Sequence, residues 1–217
     1  MRNLAVTDDV RDYAVTHGSW RPTDVVHQLR AETEALGEVA GMQIGDDQGQ
    51  LLTMMARLVD ARRAVEVGTF TGYSSLCIAR GLSEGGSVLC CDVNEEWTAI
   101  GRRAWERAGL ADRIDLRIAP ALQTLRGLPH TADVDLVFID ADKPGYAAYW
   151  DELVPRVRPG GVLLADNVLW SGKIIDQSVT DENTAALRDF NNKVASDDRV
   201  EVVLLTAFDG LTIARKL

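Results

Sequence analysis

Cysteine is scarce in this 217-residue sequence. Cys77, Cys90 and Cys91 are its three cysteines, and none belongs to a C-x-x-C pair or to the Cys/His spacing of a metal site. We therefore expect them to be reduced core residues of a cytoplasmic protein. The three histidines also lack an obvious serine or cysteine partner, so no hydrolytic triad is indicated.

Long apolar runs and clustered basic residues are missing as well. No apolar stretch approaches the length that spans a membrane, so we expect no membrane partner. The stretch from Met1 to Trp20 contains three aspartates and no apolar centre, unlike a signal peptide. The formal net charge is −10. We expect no nucleic-acid partner, because phosphate binding needs clustered Lys and Arg.

Short apolar runs alternate with helical patterns over most of the chain. The predicted strands cover residues 64–67, 87–91, 114–118, 134–139, 161–166, 200–205 and 211–214. This order predicts an α/β fold with a Rossmann-like, doubly wound, mostly parallel seven-stranded sheet whose last strand is antiparallel. Residues 1–60 are predicted to add N-terminal helices, with Leu58 facing inward, to a core at 61–217 of the same single domain. Residues 37–45 are predicted to form a loop, and residues 159–161 a turn.

Three predicted strands end at acidic residues. Glu66 lies near the end of the first, Asp140-Ala-Asp-Lys143 follows the fourth, and Asp166-Asn167 follows the fifth. In an open α/β sheet the carboxyl ends of the strands form the edge where ligands bind. This recurrence is the main functional signal of the sequence.

A glycine turn, Gly68-Thr-Phe-Thr-Gly72, joins the first strand to a helix. It would let a ligand approach the backbone at a helix N-terminus, although a plain structural turn explains it equally well. The turn is neither G-x-G-x-x-G nor a P-loop. Asp92 follows Gly72 by the roughly 20-residue spacing of a ribose-binding carboxylate. The alternative is that Asp92 caps the next helix.

Three side-chain oxygens, from Asp140, Asp166 and Asn167, would converge if their strands are neighbours. Oxygen ligands suit a hard cation such as Mg²⁺. Alternatively, Asp140 caps a helix and Asn167 stabilises a turn. Lys143, one helical turn beyond Asp140, would accept a proton beside a cation, or would simply face solvent.

Two further residues have open interpretations. Trp170 lies in an irregular segment after Asn167 and would line the pocket of a flat substrate or pack the loop. Met42 precedes the sheet domain and would be either a core residue or a contact of the cofactor.

The motifs resemble those of cation-dependent class I O-methyltransferases of the caffeoyl-CoA and catechol type, in their compact bacterial form. The similar segments, from about residue 42 onward, are Met42-Gln43 with Asp47-Gln-Gly-Gln-Leu51, Val65-Glu-Val-Gly-Thr-Phe-Thr-Gly-Tyr-Ser74, Phe138-Ile-Asp-Ala-Asp-Lys143, Asp166-Asn-Val-Leu-Trp-Ser-Gly-Lys173 and Asp209-Gly-Leu-Thr-Ile-Ala-Arg-Lys216. One departure is Ile118-Ala119-Pro120, where such proteins usually have a glycine before the proline.

The resemblance implies S-adenosylmethionine as methyl donor and Mg²⁺, or another divalent cation, as metal. It implies that Asp92 binds the ribose, Ala121 borders the adenine, and Asp140 contacts both donor and metal. Asp166 and Asn167 match the other metal ligands, and Lys143 matches the catalytic base, near the acceptor with Trp170. The remaining residues implied to contact the donor are Met42, Glu66, Gly68, Phe70, Tyr73 and Ser74.

The implied reaction is methyl transfer to one hydroxyl of a vicinal dihydroxy aromatic. Caffeoyl-CoA, a simple catechol and a precursor in specialised biosynthesis all remain open as acceptors. The family also implies a homodimer, and we expect Val25, Val26 and Leu29 of the N-terminal helices to lie outside the sheet core. Two rival hypotheses are an N-methyltransferase on the same fold and a non-catalytic protein that binds S-adenosylmethionine.

Overall fold

The fold is built on one seven-stranded sheet. The computed structural model describes residues 6–19 and 21–217, so part of the N-terminal stretch discussed above lies outside the described residues. The strands are β1 Arg63–Val67, β2 Ser87–Asp92, β3 Ile114–Ile118, β4 Val134–Ile139, β5 Val157–Ala165, β6 Val200–Leu205 and β7 Leu211–Lys216. Their order across the sheet is β3-β2-β1-β4-β5-β7-β6.

The strand directions confirm the predicted fold class. Strands β1 to β5 pair in parallel, and β7 is antiparallel to both β5 and β6. Strand β4 is buried along its whole length, which explains its continuous apolar sequence. The chain order reverses beside β1, and this is the position where doubly wound sheets bind ligands.

Helices cover both faces of the sheet, and three of them precede its first strand. They are α1 Asp8–His17, α2 Asp24–Glu34, α3 Asp46–Leu58, α4 Tyr73–Gly81, α5 Glu95–Arg107, α6 Ala121–Arg126, α7 Tyr146–Leu153 and α8 Glu182–Ala195. One apolar core lies between the sheet and α2 to α5, and a second lies between the sheet and α6 to α8. Within the described ranges, no helix is long and apolar enough to cross a membrane.

The structure corrects several details of the N-terminal region. Val26 and Leu29 are fully buried in the first core, so they do not form the outward surface on which the dimer prediction depended. Leu58 was predicted to face inward, but it is 71% exposed at the end of α3. The predicted loop at 37–45 contains a short 3-10 helix, Gly37–Met42.

The predicted turn at residues 159–161 lies inside a strand. Strand β5 begins at Val157, and its register against β4 shifts between Val134 and Leu136. Gly160 has a φ of +80° in this segment. A bulge accommodates the proline and the two glycines without ending the strand, which is a typical position for both residue types.

Candidate active site

A cavity of about 1350 Å³ opens at the carboxyl ends of the parallel strands. Backbone hydrogen bonds continue past the strand ends: Gly68 donates to Cys91, Asp140 to Val67, and Asp166 to Ile139, at 2.9–3.0 Å. These bonds hold the turns that follow β1, β4 and β5 side by side. The three acidic strand ends that the sequence singled out are therefore neighbours in space.

Gly68 has a conformation and a location that require glycine. Its φ is +91°, and a Cβ built on it would lie 1.9 Å from the carbonyl oxygen of Asp140. Any side chain would force apart the turn after β1 and the turn after β4. The same turn leads into the N-terminus of α4, where Ser74 is buried in the cavity wall. Free backbone amides and the helix dipole at this point favour an anionic group.

Asp92 fixes the shape of the glycine turn. Its Oδ2 accepts hydrogen bonds from the amides of Thr69 and Phe70 at 2.9 and 2.8 Å. Its Oδ1 accepts from the two amides that follow it in the chain, at 2.7 and 2.8 Å. The helix-cap alternative for Asp92 is wrong, because Asn94 caps α5 by accepting from the Trp97 amide. Asp92 does line the cavity, and its ribose contact stays a prediction.

Asp140, Asp166, Asn167 and Lys143 form one cluster. The Nζ atom of Lys143 lies 3.2 Å from Oδ1 of Asp140 and 2.8 Å from Oδ1 of Asn167. Lys143 is buried, so the solvent-facing alternative is wrong. Asp142, not Asp140, caps the short helix Lys143–Gly145. Asn167 has a left-handed backbone, with φ +56°, which asparagine tolerates better than most residues.

Burial and mutual repulsion set the electrostatics of the two carboxyl groups. Burial raises the pKa of Asp166 to about 6, and the charge of Asp140 adds to this rise. Burial also raises the pKa of Asp140, while the Lys143 ammonium opposes the rise. Two carboxylates so placed retain their charge only when a cation lies between or beside them. In this structure the Lys143 ammonium is such a cation.

The donor set has the chemistry that a hard cation prefers. Asp140 and Asp166 supply charged oxygens, and Asn167 supplies a neutral one. Within residues 6–19 and 21–217, no three His, Cys, Asp or Glu side chains cluster as a metal site. A third protein ligand at this position would therefore be a neutral oxygen, and the Asn167 amide matches the predicted ligand.

Glu66 lies apart from the other predicted donor contacts. Its carboxyl is fully buried beneath the turn, accepts a hydrogen bond from Ser75, and does not line the cavity. Burial raises its pKa to about 7, because neighbouring hydroxyl groups offset only part of the lost solvation. A role of Glu66 in donor binding stays a prediction. In the structure, Glu66 contacts Ser75 beneath the glycine turn.

The remaining predicted residues lie in the cavity wall. Met42 is 49% exposed, so the core interpretation of this residue is wrong. Phe70 packs edge-on against Trp97, with ring centroids 5.2 Å apart. Tyr73 is buried and donates its hydroxyl to Asp46 at 2.6 Å, which ties α4 to α3.

Ala121 and Trp170 also line the cavity, and their contacts with donor and acceptor stay predictions. Ala121 begins α6, and its backbone follows the turn after β3. The ring of Trp170 lies 5.6 Å from Nζ of Lys143 and also packs against the second core. Trp170 thus fits both of its interpretations, since it lines the cavity and packs the loop.

Sequence reasoning missed two residues of the site. Gln48, on α3, is 3% exposed and lines the cavity, and its side-chain amide lies beside the carboxyl group of Asp166, whose pKa it helps to lower. Tyr146, on α7, is fully buried and accepts a hydrogen bond from Lys143 Nζ at 2.7 Å. Gln48 belongs to a segment that supported the resemblance, so closer attention to that segment was the available signal. Tyr146 follows Lys143 by one helical turn.

Comparisons with known proteins agree with this geometry. A family model described as O-methyltransferase matches residues 17–217. The chain is 35% identical to caffeoyl-CoA O-methyltransferase 1 of Zea mays, over all of this chain and 88% of that protein. It is 40% identical to catechol O-methyltransferase domain-containing protein 1 of Mus musculus, over 79% of this chain and 66% of that protein. The solved structure of the O-methyltransferase TomG from Streptomyces achromogenes, in complex with S-adenosylmethionine, has a TM-score of 0.88, 28% identity and 96% coverage of both chains.

Proposed function

We propose that this chain methylates one hydroxyl of a vicinal dihydroxy aromatic with the help of a divalent cation. The chain belongs to the O-methyltransferase family of the caffeoyl-CoA type, and its methyl donor is S-adenosylmethionine. The observation that carries the proposal is the buried cluster of Lys143, Asp140, Asp166 and Asn167 at the cavity floor. The family match favours O-methylation over the two rival hypotheses.

Asp140, Asp166 and Asn167 are the residues that would hold the cation. A bound divalent cation supplies Lewis acidity, which lowers the pKa of a coordinated hydroxyl and orients neighbouring oxygens. Charge balance supports this assignment, because both carboxyl groups are buried and have raised pKa values. A cation there would keep both of them ionised at neutral pH.

Lys143 is the proposed base. It is the only lysine among the described residues that line the cavity. Its Nζ lies against two of the proposed metal ligands, and therefore beside the place where an acceptor hydroxyl has to lose its proton. In its neutral form the amine would take that proton, the acceptor oxygen would bond to the methyl carbon as the methyl–sulfur bond breaks, and S-adenosylhomocysteine would leave as a neutral thioether.

The donor is proposed to lie across the turn after β1. The N-terminus of α4, with Ser74, faces its carboxylate, Asp92 faces its ribose, and Ala121 borders its adenine. Phe70 and Met42 are proposed to contact it from the walls. Much of the rate acceleration would come from holding donor and acceptor in line, since orientation alone contributes several kcal/mol in such reactions.

A panel of vicinal diphenols tests the proposal. Each compound is incubated with S-adenosylmethionine, with and without Mg²⁺, and methylated product is measured by mass spectrometry. Matched monophenols serve as the control, because they lack the second oxygen needed for chelation. We expect product from the diphenols only, and only with the cation. Equal turnover of diphenols and monophenols, or turnover that survives exhaustive metal removal, would contradict the proposal.

A further inference from the structure

We infer that the acceptor is an uncharged or positively charged vicinal diphenol, and that acyl-CoA thioesters are poor acceptors for this chain. The inference rests on the proposed function and narrows the class of acceptor. It differs from the activity in the names of several relatives, which are caffeoyl-CoA O-methyltransferases at 33–35% identity.

The cavity is strongly acidic. Its described lining contains one arginine, Arg11, and one lysine, Lys143. Against these two cations stand six aspartates: Asp47, Asp92, Asp140, Asp142, Asp166 and Asp209. A divalent cation would balance Asp140 and Asp166, and Asp92 is already solvated by four backbone amides.

Three aspartates remain without a cationic partner among the described side chains. Asp47 accepts from the Gln48 amide, Asp142 accepts from Gly145 and the Tyr149 hydroxyl, and Asp209 accepts from the Ser171 amide. All of these donors are neutral. The three carboxylates therefore give the cavity a negative potential that no described cationic side chain cancels by direct pairing.

The rim adds to this potential. Helix α1 contributes Arg11 to the cavity wall, but Arg11 donates to Asp8 at 3.1 Å, and Asp9 and Asp12 are exposed on the same helix. The segment that leads from Trp170, in the cavity wall, to α8 carries Lys173 together with Asp176 and Asp181. The guanidinium of Arg188 is turned inward there, toward four backbone carbonyl oxygens.

This rim is unsuited to coenzyme A. The nucleotide part of an acyl-CoA thioester carries several phosphate charges. When the acyl group of the thioester reached Lys143, these phosphates would lie at or near the rim of the cavity. Phosphate recognition normally relies on Arg and Lys placed to form charge-assisted hydrogen bonds. Here the approaching phosphates would meet mainly carboxylates, so both association and affinity would suffer.

Two further observations indicate which ligand the cavity suits. Trp170 offers a flat aromatic wall, and the ammonium groups of Lys143 and Lys173 already lie 5.6 and 5.8 Å from its ring centre, so the ring suits the aromatic part of an acceptor. Gln48 presents a buried amide in the same cavity, beside the carboxyl group of Asp166. That amide could contact an acceptor hydroxyl, and an amine on the acceptor would find carboxylates in the cavity wall.

Four acceptors that differ in charge test the inference: 4-methylcatechol, dopamine, 3,4-dihydroxyphenylacetate and caffeoyl-CoA. At low salt, with Mg²⁺ present, we expect kcat/KM for caffeoyl-CoA to be at least about tenfold below that for 4-methylcatechol. Adding NaCl should raise the values for the two anions and lower the value for dopamine, because salt screens both effects. Equal or higher kcat/KM for caffeoyl-CoA, or no salt dependence, would overturn the inference.

Binding measurements separate this inference from the proposed function. Calorimetry on the complex with S-adenosylhomocysteine and Mg²⁺ ranks the same four compounds without turnover. If none is methylated but the ranking by charge holds, the proposed function fails and the charge preference stands. If 4-methylcatechol is methylated and caffeoyl-CoA binds as tightly as 4-methylcatechol, the proposed function stands and the charge preference fails.

A pair of variants locates the effect. Asp209→Asn removes one charge from the cavity wall and keeps an oxygen that can accept from Ser171. Asp112→Asn removes one charge from an exposed site outside the cavity. We expect Asp209→Asn to shift the ratio of kcat/KM for 3,4-dihydroxyphenylacetate over dopamine by about threefold toward the anion. Asp112→Asn should leave this ratio unchanged, and equal shifts in both variants would count against the cavity as the source.

Discussion

The amine of Lys143 lies 2.7 Å from the hydroxyl of Tyr146, and that hydroxyl donates in turn to the backbone carbonyl of Asp166 at 3.0 Å. Tyr146 is fully buried, so its oxygen has a fixed position and presents a lone pair to Nζ. Lys143 is therefore held beside Asp140 and Asn167 by a rigid neighbour. A long flexible side chain gains the fixed geometry that proton transfer requires.

Replacing Lys143 by alanine tests the proposed base. We expect kcat to fall roughly 10²- to 10⁴-fold, the usual range for a positioned acid–base group, with little change in donor affinity. Stopped assays measure kcat, and calorimetry with S-adenosylhomocysteine measures binding and reports that the site is folded. The matched control is Lys193→Ala, which removes a half-buried lysine that pairs with Asp151 outside the cavity. Normal turnover by Lys143→Ala would remove the base assignment.

Removal of the metal tests the proposed cation site. EDTA should abolish turnover and leave donor binding largely intact, and added Mg²⁺ should restore activity, because the cation acts on the acceptor. Asn167→Ala should raise the Mg²⁺ concentration for half-maximal activity by at least about tenfold. Asn192→Ala, an exposed amide on α8, is the control. Full activity in a preparation shown metal-free by elemental analysis would rule out the cation mechanism.

Asp92→Ala tests the ribose contact. Charge-assisted hydrogen bonds to the ribose would contribute roughly 1.5–3 kcal/mol to the binding free energy of the donor. Without them, the donor dissociation constant should rise at least about tenfold. The same change frees the amides of Thr69 and Phe70, which adds to the loss by loosening the turn. Asp115→Ala on the neighbouring strand removes an exposed carboxylate as a control. An unchanged donor affinity, with the protein folded, would refute the role.

Glu66→Gln tests the buried carboxyl beneath the turn. The pKa of Glu66 is raised by burial to about 7 in the folded protein, against 4.5 ordinarily. As pH rises through this window the unfolded state ionises first, so folding stability falls by about 3 kcal/mol in order of magnitude. Below the window Glu66 costs nothing, and above it the loss is complete. Urea unfolding should show the variant gaining stability over the parent between pH 5 and pH 8.

The gain in Glu66→Gln is a difference between two pH values, so any constant effect of the amide cancels. Glu96→Gln on the exposed surface of α5 is the matched control and should show no such gain. A variant whose stability relative to the parent is the same at both pH values would show that Glu66 ionises normally in the folded protein.

A homodimer remains our expectation, with a different surface from the one suggested by the sequence. Val203, Leu204 and Phe208 are exposed on the edge strand β6 and the turn that follows it. An apolar edge strand is a ready surface for a second copy, since its backbone groups and side chains lack a neighbour. Light scattering at micromolar concentration should give a dimer mass, and Val203→Glu should reduce it. A monomer for the parent chain would end the expectation.

The sequence predicted which side chains meet at the cavity floor, because their meeting depends on strand order. Apolar runs mark β4 and β5, and two parallel neighbours bring Asp140 and Asp166 together whatever the loops do. Gln48 was not predicted because its position in the cavity wall depends on how α3 packs against the sheet. Helical periodicity alone does not determine that packing. The hydrogen bonds of Asp92 escaped because they depend on the backbone of Phe70, whose φ of +51° is unusual for that residue type.

Because Gly68 has no side chain, the turn after β1 and the turn after β4 lie in direct contact. Because the turn that would carry the donor touches the carbonyl of Asp140 without an intervening atom, the proposed donor site and the proposed metal ligands share one backbone framework. Their spacing is then set by main-chain contact and does not depend on which side chains fill the cavity. The parts of the cavity wall that lie before β1 and after β6 can therefore change their chemistry through substitution without changing that spacing.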